Sequence, residues 1–409
     1  MIEIEQGVRA LAAGDAPGAA ACFETALARR PDDPAALMGR AAAASAMNDA
    51  VGARQWGHRA VMAHSITRPE GGPAGPLVAV VGCARGYTVH FRNGTFVANG
   101  GNGTTYFEFL RRQPDIGALT LFADCLEPHA DLPPFQVIAN TVAEPDAIAS
   151  LGHVQAFVDR HPGIPVINPP RLVARCTRDF NAARLRGIDG LVVPRTLRMQ
   201  FTDAVGLRAA MAAYGLTFPV ILRRVSTQTG ETMVLLADEQ ALRHLDPAPY
   251  ADAEIYLTQF VDGTDGDGVF RKYRLVAIGD GFVPVHALSC RHWDVHLATA
   301  DEQTRTVPAF RALCRRFLAA PQNILSPRAI AALGEVAVRS GLEVIGIDFT
   351  LLPDGRVLFF EANPAMDFLK NTKATLDLAP EAQIPARMDQ AFARMLHRVL
   401  PGRDPAPHS

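Results

Sequence analysis

The sequence lacks paired cysteines, long apolar runs, a leader and appreciable net charge, and each absence removes a class of protein. Its cysteines, Cys22, Cys83, Cys125, Cys176, Cys290 and Cys314, are scattered without a Cys-x-x-Cys pair. That spacing suits reduced thiols in a cytoplasm, and neither a zinc site nor a disulfide framework is expected. No apolar run approaches the roughly 20 residues of a membrane span. Met1-Ile2-Glu3-Ile4-Glu5 has neither the basic start nor the apolar core of a signal peptide. The formal net charge of -2 gives no electrostatic case for nucleic acid or an anionic membrane. What the chain does have is apolar content. Of 409 residues, 48% are hydrophobic and 20% charged, which supports a large core and argues against wholesale disorder. A soluble cytoplasmic protein of several domains is expected.

Residues 1–65 are alanine-rich with helical periodicity. Gly14-Asp15 … Ala19 … Phe23 … Ala26 … Pro31 recurs in weaker form, about 34 residues on, as Asn48-Asp49 … Ala53 … Gly57 … Ala60. The pattern resembles tetratricopeptide repeats, paired helices in which small residues allow close contact. Two units fall short of the three or so that make a stable stack. The cap should therefore bury its apolar face on the rest of the chain or on a second subunit, which would make it a route to a homodimer or a protein partner. Residues 66–77, rich in Pro and Gly, read as a linker. From 78 to 170, strand-like runs at Leu77–Gly82, Ala118–Phe122, Phe135–Ala139 and Pro165–Asn168 alternate with helical stretches near Thr105–Arg112 and Glu144–His161. That alternation predicts a small parallel α/β domain. The stretch Ala98-Asn-Gly-Gly-Asn-Gly-Thr104 could cradle an anion at a helix N-terminus or serve as a flexible turn.

Two hairpins carry the chemistry. Leu342–Leu352 and Arg356–Asn363 are apolar runs flanking Pro353-Asp354-Gly355, and an Asp-Gly turn between such runs is a strong hairpin signal. With Asp354-Gly355 as the loop, Pro353 faces Arg356 and Asp348 faces Glu361, with Asn363 two residues on along the same face. Opposed carboxylates destabilise a sheet, so the pair points to a divalent cation held by hard oxygens. In the second hairpin, Tyr273–Ile278 and Phe282–Leu288 flank Gly279-Asp280-Gly281. With Asp280-Gly281 as the loop, Arg274 faces Ala287, Lys272 faces Ser289, and Arg291 continues along that face. Three cations in line would suit phosphate oxygens, or form a solvated basic face.

Together the hairpins resemble the ATP-grasp fold, the ligase family that includes glutathione synthetase and D-alanine–D-alanine ligase. The resemblance covers roughly residues 165–400. It implies an α/β protein in which two α+β subdomains, 171–258 and 259–400, sandwich ATP, preceded by the α/β pre-grasp domain and the helical cap, with a disordered tail at 401–409. It implies Asp348, Glu361 and Asn363 as Mg2+ ligands and Arg274 and Arg291 as the catalytic, phosphate-facing arginines. Gln259, Phe260, Val261 and Asp262 fall where the family's hinge meets adenine and ribose, and Arg223 and Lys272 beside the phosphates. The family's usual lysines are replaced: Arg178 or Phe180 stands at one position and Arg223 at the other, and the loop Ser226–Glu231 is short for a lid.

The implied reaction is ATP- and Mg2+-dependent ligation of a carboxylate to an amine through an acyl phosphate, on a small molecule or peptide. Such phosphoryl transfer depends on positioning and charge neutralisation. His292 and His296 are candidate general bases or packed polar residues. A non-catalytic ATP sensor or scaffold, or a kinase on the same fold, is the alternative. Arg305, Arg311, Arg315 and Arg316 could meet an acidic substrate or form a solvated helix face.

Overall fold

A computed structural model describes residues 2–63, 66–67, 75–85, 87–92, 94–99, 109–110, 112–113, 115–127, 130–227, 230, 232–366 and 383–400. Most of the expected linker, Gly100–Thr104 of the glycine-rich stretch, most of the helix expected near Thr105 and the tail at 401–409 lie outside the described residues. The fold is mixed α/β. It divides into two compact units, Met1–Arg171 with Leu396–Ser409, and Leu172–Met395.

The first unit opens with helices α1 (Ile2–Ala12), α2 (Ala16–Arg29), α3 (Pro34–Ala46) and α4 (Ala50–Ala63). The sequence repeat has a backbone counterpart. Gly14 and Asn48 both take positive φ, 81° and 58°. Asp15 and Asp49 then accept the N–H of Gly18 and Gly52 at 2.9 and 2.8 Å, the N-cap bond that satisfies a helix's first free donors. The cap's apolar face does not stand alone. Phe23, Leu11, Ala19 and Ala41–Ala43 form one buried cluster with Val89, which lies on a hairpin of β3 (Thr88–Arg92) and β4 (Thr95–Asn99). Alternation alone did not mark this hairpin as a strand pair, because its inward residues meet helices and not a sheet.

The rest of the unit is a sheet ordered β1-β5-β2-β6-β7. Its strands are β1 (Ile66–Thr67), β2 (Leu77–Gly82), β5 (Gly117–Phe122), β6 (Val137–Asn140) and β7 (Val166–Ile167), and helix α5 spans Ile148–Asp159. β2, β5, β6 and β7 pair in parallel, and β1 is antiparallel to β5. The expected strands and the helix all appear, the helix shorter than the predicted Glu144–His161.

The second unit contains two sheets. The smaller is antiparallel, ordered β11-β10-β12-β9, from β9 (Thr196–Gln200), β10 (Val220–Arg224), β11 (Val234–Leu236) and β12 (Glu254–Gln259). Helices α7 (Ala204–Tyr214) and α8 (Glu239–Arg243), capped by Asp203 and Asp238, contribute Leu207, Met211 and Leu242 to its core. Helix α6 (Arg178–Arg184) precedes this sheet in the chain. The larger sheet is ordered β14-β13-β15-β16-β8, with β8 (Leu191–Val192), β13 (Phe270–Ile278), β14 (Gly281–Cys290), β15 (Val344–Leu351) and β16 (Val357–Asn363). Helices α9 (Leu297–Thr306), α10 (Pro308–Ala319), α11 (Pro327–Ser340) and α12 (Gln383–Val399) complete the unit. Phe317 of α10 packs on Tyr273, ring centroids 5.0 Å apart, and Tyr273 stacks on Phe349 at 5.5 Å. One face of the sheet is thereby closed by a helix, which leaves Arg274 and Asp348, the next residues along each strand, on the other.

The cap's packing yields a paired prediction. A Cβ on Gly39 would sit 2.3 Å from the Phe23 ring, whereas one on Gly152, within α5, meets nothing within 4 Å. Gly39→Ala should therefore destabilise the protein by about 1–3 kcal/mol. Gly152→Ala should be neutral or stabilising by up to about 1 kcal/mol, the helix-propensity gain. Denaturant unfolding of the two variants checks both signs.

Candidate functional site

Turn chemistry decides what faces what in this site. In the β15–β16 hairpin the loop has three residues. Gly355 N–H donates to the Leu352 carbonyl and Leu352 N–H to the Arg356 carbonyl, both at 2.8 Å. Pro353 suits the second position of such a turn, and Gly355, at φ 80°, supplies the left-handed residue that follows it. The predicted two-residue loop is thus wrong by one. A bulge at Phe360 shifts the register back by one, so Asp348 pairs with Glu361 and Gly346 with Asn363 as expected.

In the β13–β14 hairpin the cancellation is only partial. Its loop is Gly279-Asp280, with Ile278 paired to Gly281, because Gly279 at φ 60° takes the first turn position. A register shift follows between Arg274 and Leu275, opposite Pro284, which cannot donate to the ladder. Arg274 therefore faces His286, not Ala287, and Lys272 faces Leu288, not Ser289. A one-residue slip turns every side chain over, and Arg291 falls past the strand end, exposed and outside the cavity.

The corrected registers set His286, Arg274, Asp348 and Glu361 in directly paired positions on four consecutive strands. Arg274 grips Asp348 with both arms, Nε to Oδ1 at 2.6 Å and Nη2 to Oδ2 at 2.8 Å. Lys272 Nζ lies 3.8 Å from the same carboxylate. Burial alone would raise the Asp348 pKa, but the Arg274 charge and its hydrogen bonds, with Lys272, hold it well below the usual carboxylate range. Burial and the adjacent Arg274 charge push His286 well below its ordinary value, so its imidazole is neutral. Lys272 is also lowered by burial, an effect that Asp348 opposes.

Glu361 ends the row and is bound by Arg178. That arginine is delivered by helix α6, which buried Asn181 pins to β16. The Asn181 amide donates to the Ala362 carbonyl at 2.8 Å and to the Cys176 carbonyl at 3.1 Å. Arg178, Arg223, Lys272, Asp348 and Glu361 line one cavity together with Gln259, Phe260, Val261, Phe270, Trp293 and Leu358. The apolar residues give a planar group surfaces to stack on. Gln259 offers the cavity its main chain, since its side chain clasps Thr217, accepting that N–H at 3.0 Å and donating to its carbonyl at 2.9 Å. Arg223 is buried and donates to the Thr227 carbonyl at 2.5 Å.

Four predicted residues are not among those that line the cavity. Arg274 stands behind Asp348, Asp262 is turned onto the Thr264 N–H at 2.9 Å, Arg291 lies past the end of β14, and Asn363, on β16 beyond Glu361, is outside the lining as well. Of the two candidate histidines, His296 lines the cavity and His292 is exposed outside it. Sequence reasoning missed Asp294, Trp293 and Arg271, which also line it; the His-Trp-Asp-Val-His run was the signal available. Arg305, Arg311, Arg315 and Arg316 lie on helices α9 and α10 and do not line it.

Asp348, Glu361 and Asn363 make a hard-oxygen donor set that fits a magnesium ion. Each carboxylate already binds a cationic side chain, and the Asn363 amide oxygen, which accepts the Ala365 N–H at 3.0 Å, keeps a second lone pair. Among the described residues no group of three or more His, Cys, Asp or Glu gathers as a metal site, and no helix is long and apolar enough to cross a membrane.

No family model and no curated protein matches the sequence. Solved structures do match over most of the chain, and several are described as ATP-grasp proteins. A RimK domain ATP-grasp protein from Sphaerobacter thermophilus shares 15% identity, with 78% of this chain and 98% of that chain covered and a TM-score of 0.45. The ATP-grasp ligase PsnB with minimal precursor, Mg and ADP shares 16%, with 77% and 97% covered and a TM-score of 0.42. The D-cycloserine synthetase DcsG shares 17%, with 79% and 99% covered and a TM-score of 0.42.

The buried pair gives a stability prediction. Removing Arg274 would leave Asp348 buried beside Lys272 alone, so Arg274→Met should cost about 3–5 kcal/mol at neutral pH. Asp348 is depressed in the folded state, so its contribution is complete above the unfolded carboxylate value of about 4 and is lost as pH falls below that. The gap between wild type and variant in denaturant midpoints should hold from pH 7 to 5 and narrow toward pH 2.

Proposed function

We propose that the chain is an ATP- and Mg2+-dependent ligase that joins a carboxylate to an amine through an acyl phosphate. The observation that supports this most is the polar row across β14, β13, β15 and β16, whose two carboxylates meet cationic side chains in a cavity with apolar walls. Asp348, Glu361 and Asn363 would hold magnesium, which when bound would supply positive charge to offset that of the phosphates. Arg223 and Lys272 would meet the phosphates directly. Arg178 would join them once a metal ion took its place at Glu361. Arg274 is better read as the residue that orients Asp348 than as a phosphate contact. Phe260, Val261 and Leu358 would enclose the base.

The missing family lysines weigh less than they first suggest. The chain holds 40 basic residues, and Lys272, Lys370 and Lys373 are its lysines. Arginine at position 223 thus follows a chain-wide preference and does not by itself mark a lost activity. The sensor reading keeps one observation in its favour: both carboxylates among the three metal-ligand candidates are occupied by arginines. Phosphate release that needs both a carboxylate and an amine separates a ligase from a kinase, and ATP binding without turnover would favour the sensor.

Calorimetry tests the metal site. ATP should bind more tightly with magnesium than without it, and Glu361→Ala should remove most of that difference, since one carboxylate fewer leaves the ion short of hard oxygens. Equal affinity with and without magnesium in both proteins would sink this assignment. For Arg223, losing a charge-assisted contact costs about 1.5–3 kcal/mol, so Arg223→Ala should weaken ATP binding about tenfold to a hundredfold. Arg223→Lys should restore much of it, because the charge is kept.

A further inference from the structure

A third carboxylate lines the cavity, and it differs from the other two. Asp348 is bound by Arg274 and Glu361 by Arg178. Asp294 instead lies against a histidine, its Oδ1 2.8 Å from His296 Nε2. Among the described residues no arginine or lysine comes within ion-pair distance of Asp294. The pair is partly shielded, with side-chain exposures of 19% for Asp294 and 23% for His296. Its backbone is fixed: His296 N–H donates to Thr299 Oγ1 at 3.0 Å, and that hydroxyl donates to the Asp294 carbonyl at 2.6 Å. Gly230 packs against the pair so closely that a Cβ there would sit 2.7 Å from the His296 ring. Trp293 lines the cavity beside them.

We propose that Asp294, seated against His296, docks the ammonium group of the amine acceptor. The inference rests on the ligase reading and names the residue that would recognise its second substrate. An amine is a cation at neutral pH, and in a cavity lined by Arg178, Arg223 and Lys272 it is drawn to the carboxylate that no arginine or lysine among the described residues holds in an ion pair, although the Lys272 charge reaches it from farther off. Asp294 is that carboxylate. The Trp293 ring adds a face that favours a positive group. Phosphates and ammonium are thus sorted to opposite signs of charge within one cavity.

A binding measurement tests this without knowledge of the natural amine. n-Propylammonium chloride is titrated into the full chain loaded with Mg2+ and the non-hydrolysable analogue AMPPNP, and the His296 ring proton, assigned with His296→Gln, is followed by NMR. A saturable shift is expected in wild type and in Asp294→Glu, with binding about tenfold or more weaker in Asp294→Asn. Retention in the Glu variant shows that loss in the Asn variant reports charge and not misfolding. No shift in the loaded wild type, or equal binding by the Asn variant, overturns the proposal. A separate titration reads AMPPNP itself. If AMPPNP fails to bind, the nucleotide reading falls and the docking site falls with it, whereas AMPPNP binding without a propylammonium response removes the docking site alone.

Discussion

The grip of Arg274 on Asp348 is the contact on which the site depends. Two charges this far from water are costly, and each is tolerable because the other satisfies it. Breaking the pair would strand a buried carboxylate in a five-stranded sheet, with another acid paired to it on β16 and only Lys272, 3.8 Å away, to offset it. The sheet's opposite face shows how the position is enforced. Tyr273 and Phe349 neighbour Arg274 and Asp348 in sequence and stack on each other beneath Phe317. Strand alternation then leaves the charged residues nowhere to point but the cavity side. Core packing on one face thereby fixes electrostatics on the other.

How much of this was legible in the sequence depended on turns. Most strand runs follow from apolar period and from Gly, Pro and Asp and appear where expected, whereas β1 falls inside the expected linker and the β3–β4 hairpin was not foreseen. Register is a finer matter. In the β15–β16 hairpin a misjudged loop was cancelled by a bulge at Phe360, and the Asp348–Glu361 pairing came out right for an incomplete reason. In the β13–β14 hairpin the loop was misplaced by one and nothing restored the predicted pairing, so Arg291 was assigned to a face it does not share. A bulge leaves little local trace, though Pro284 within a strand was a hint that could have been used. Arg178 and Asp294 were hard to place for another reason. They reach the cavity through a helix and a loop whose positions depend on long-range contacts, such as Asn181 on the Ala362 carbonyl.

Charge accounting connects the row to its proposed ligand. Arg274 and Asp348 neutralise each other, as do Arg178 and Glu361, and His286 is uncharged. Lys272 and Arg223 are then left as positive charge on the cavity wall, with Arg271 paired to Asp267 and Asp294 the one lining carboxylate not held by an arginine. A magnesium–ATP complex carries net negative charge, which Lys272 and Arg223 would offset without help from the row. A free divalent ion faces a different situation, because Arg178 and Arg274 already occupy the carboxylates it would need. Metal alone should be a poor competitor for those sites, and nucleotide would favour its entry by giving Arg178 phosphate oxygens in exchange for Glu361. On the proposed function metal and nucleotide would bind as a unit, and the two arginines would keep the carboxylates in register until they arrive.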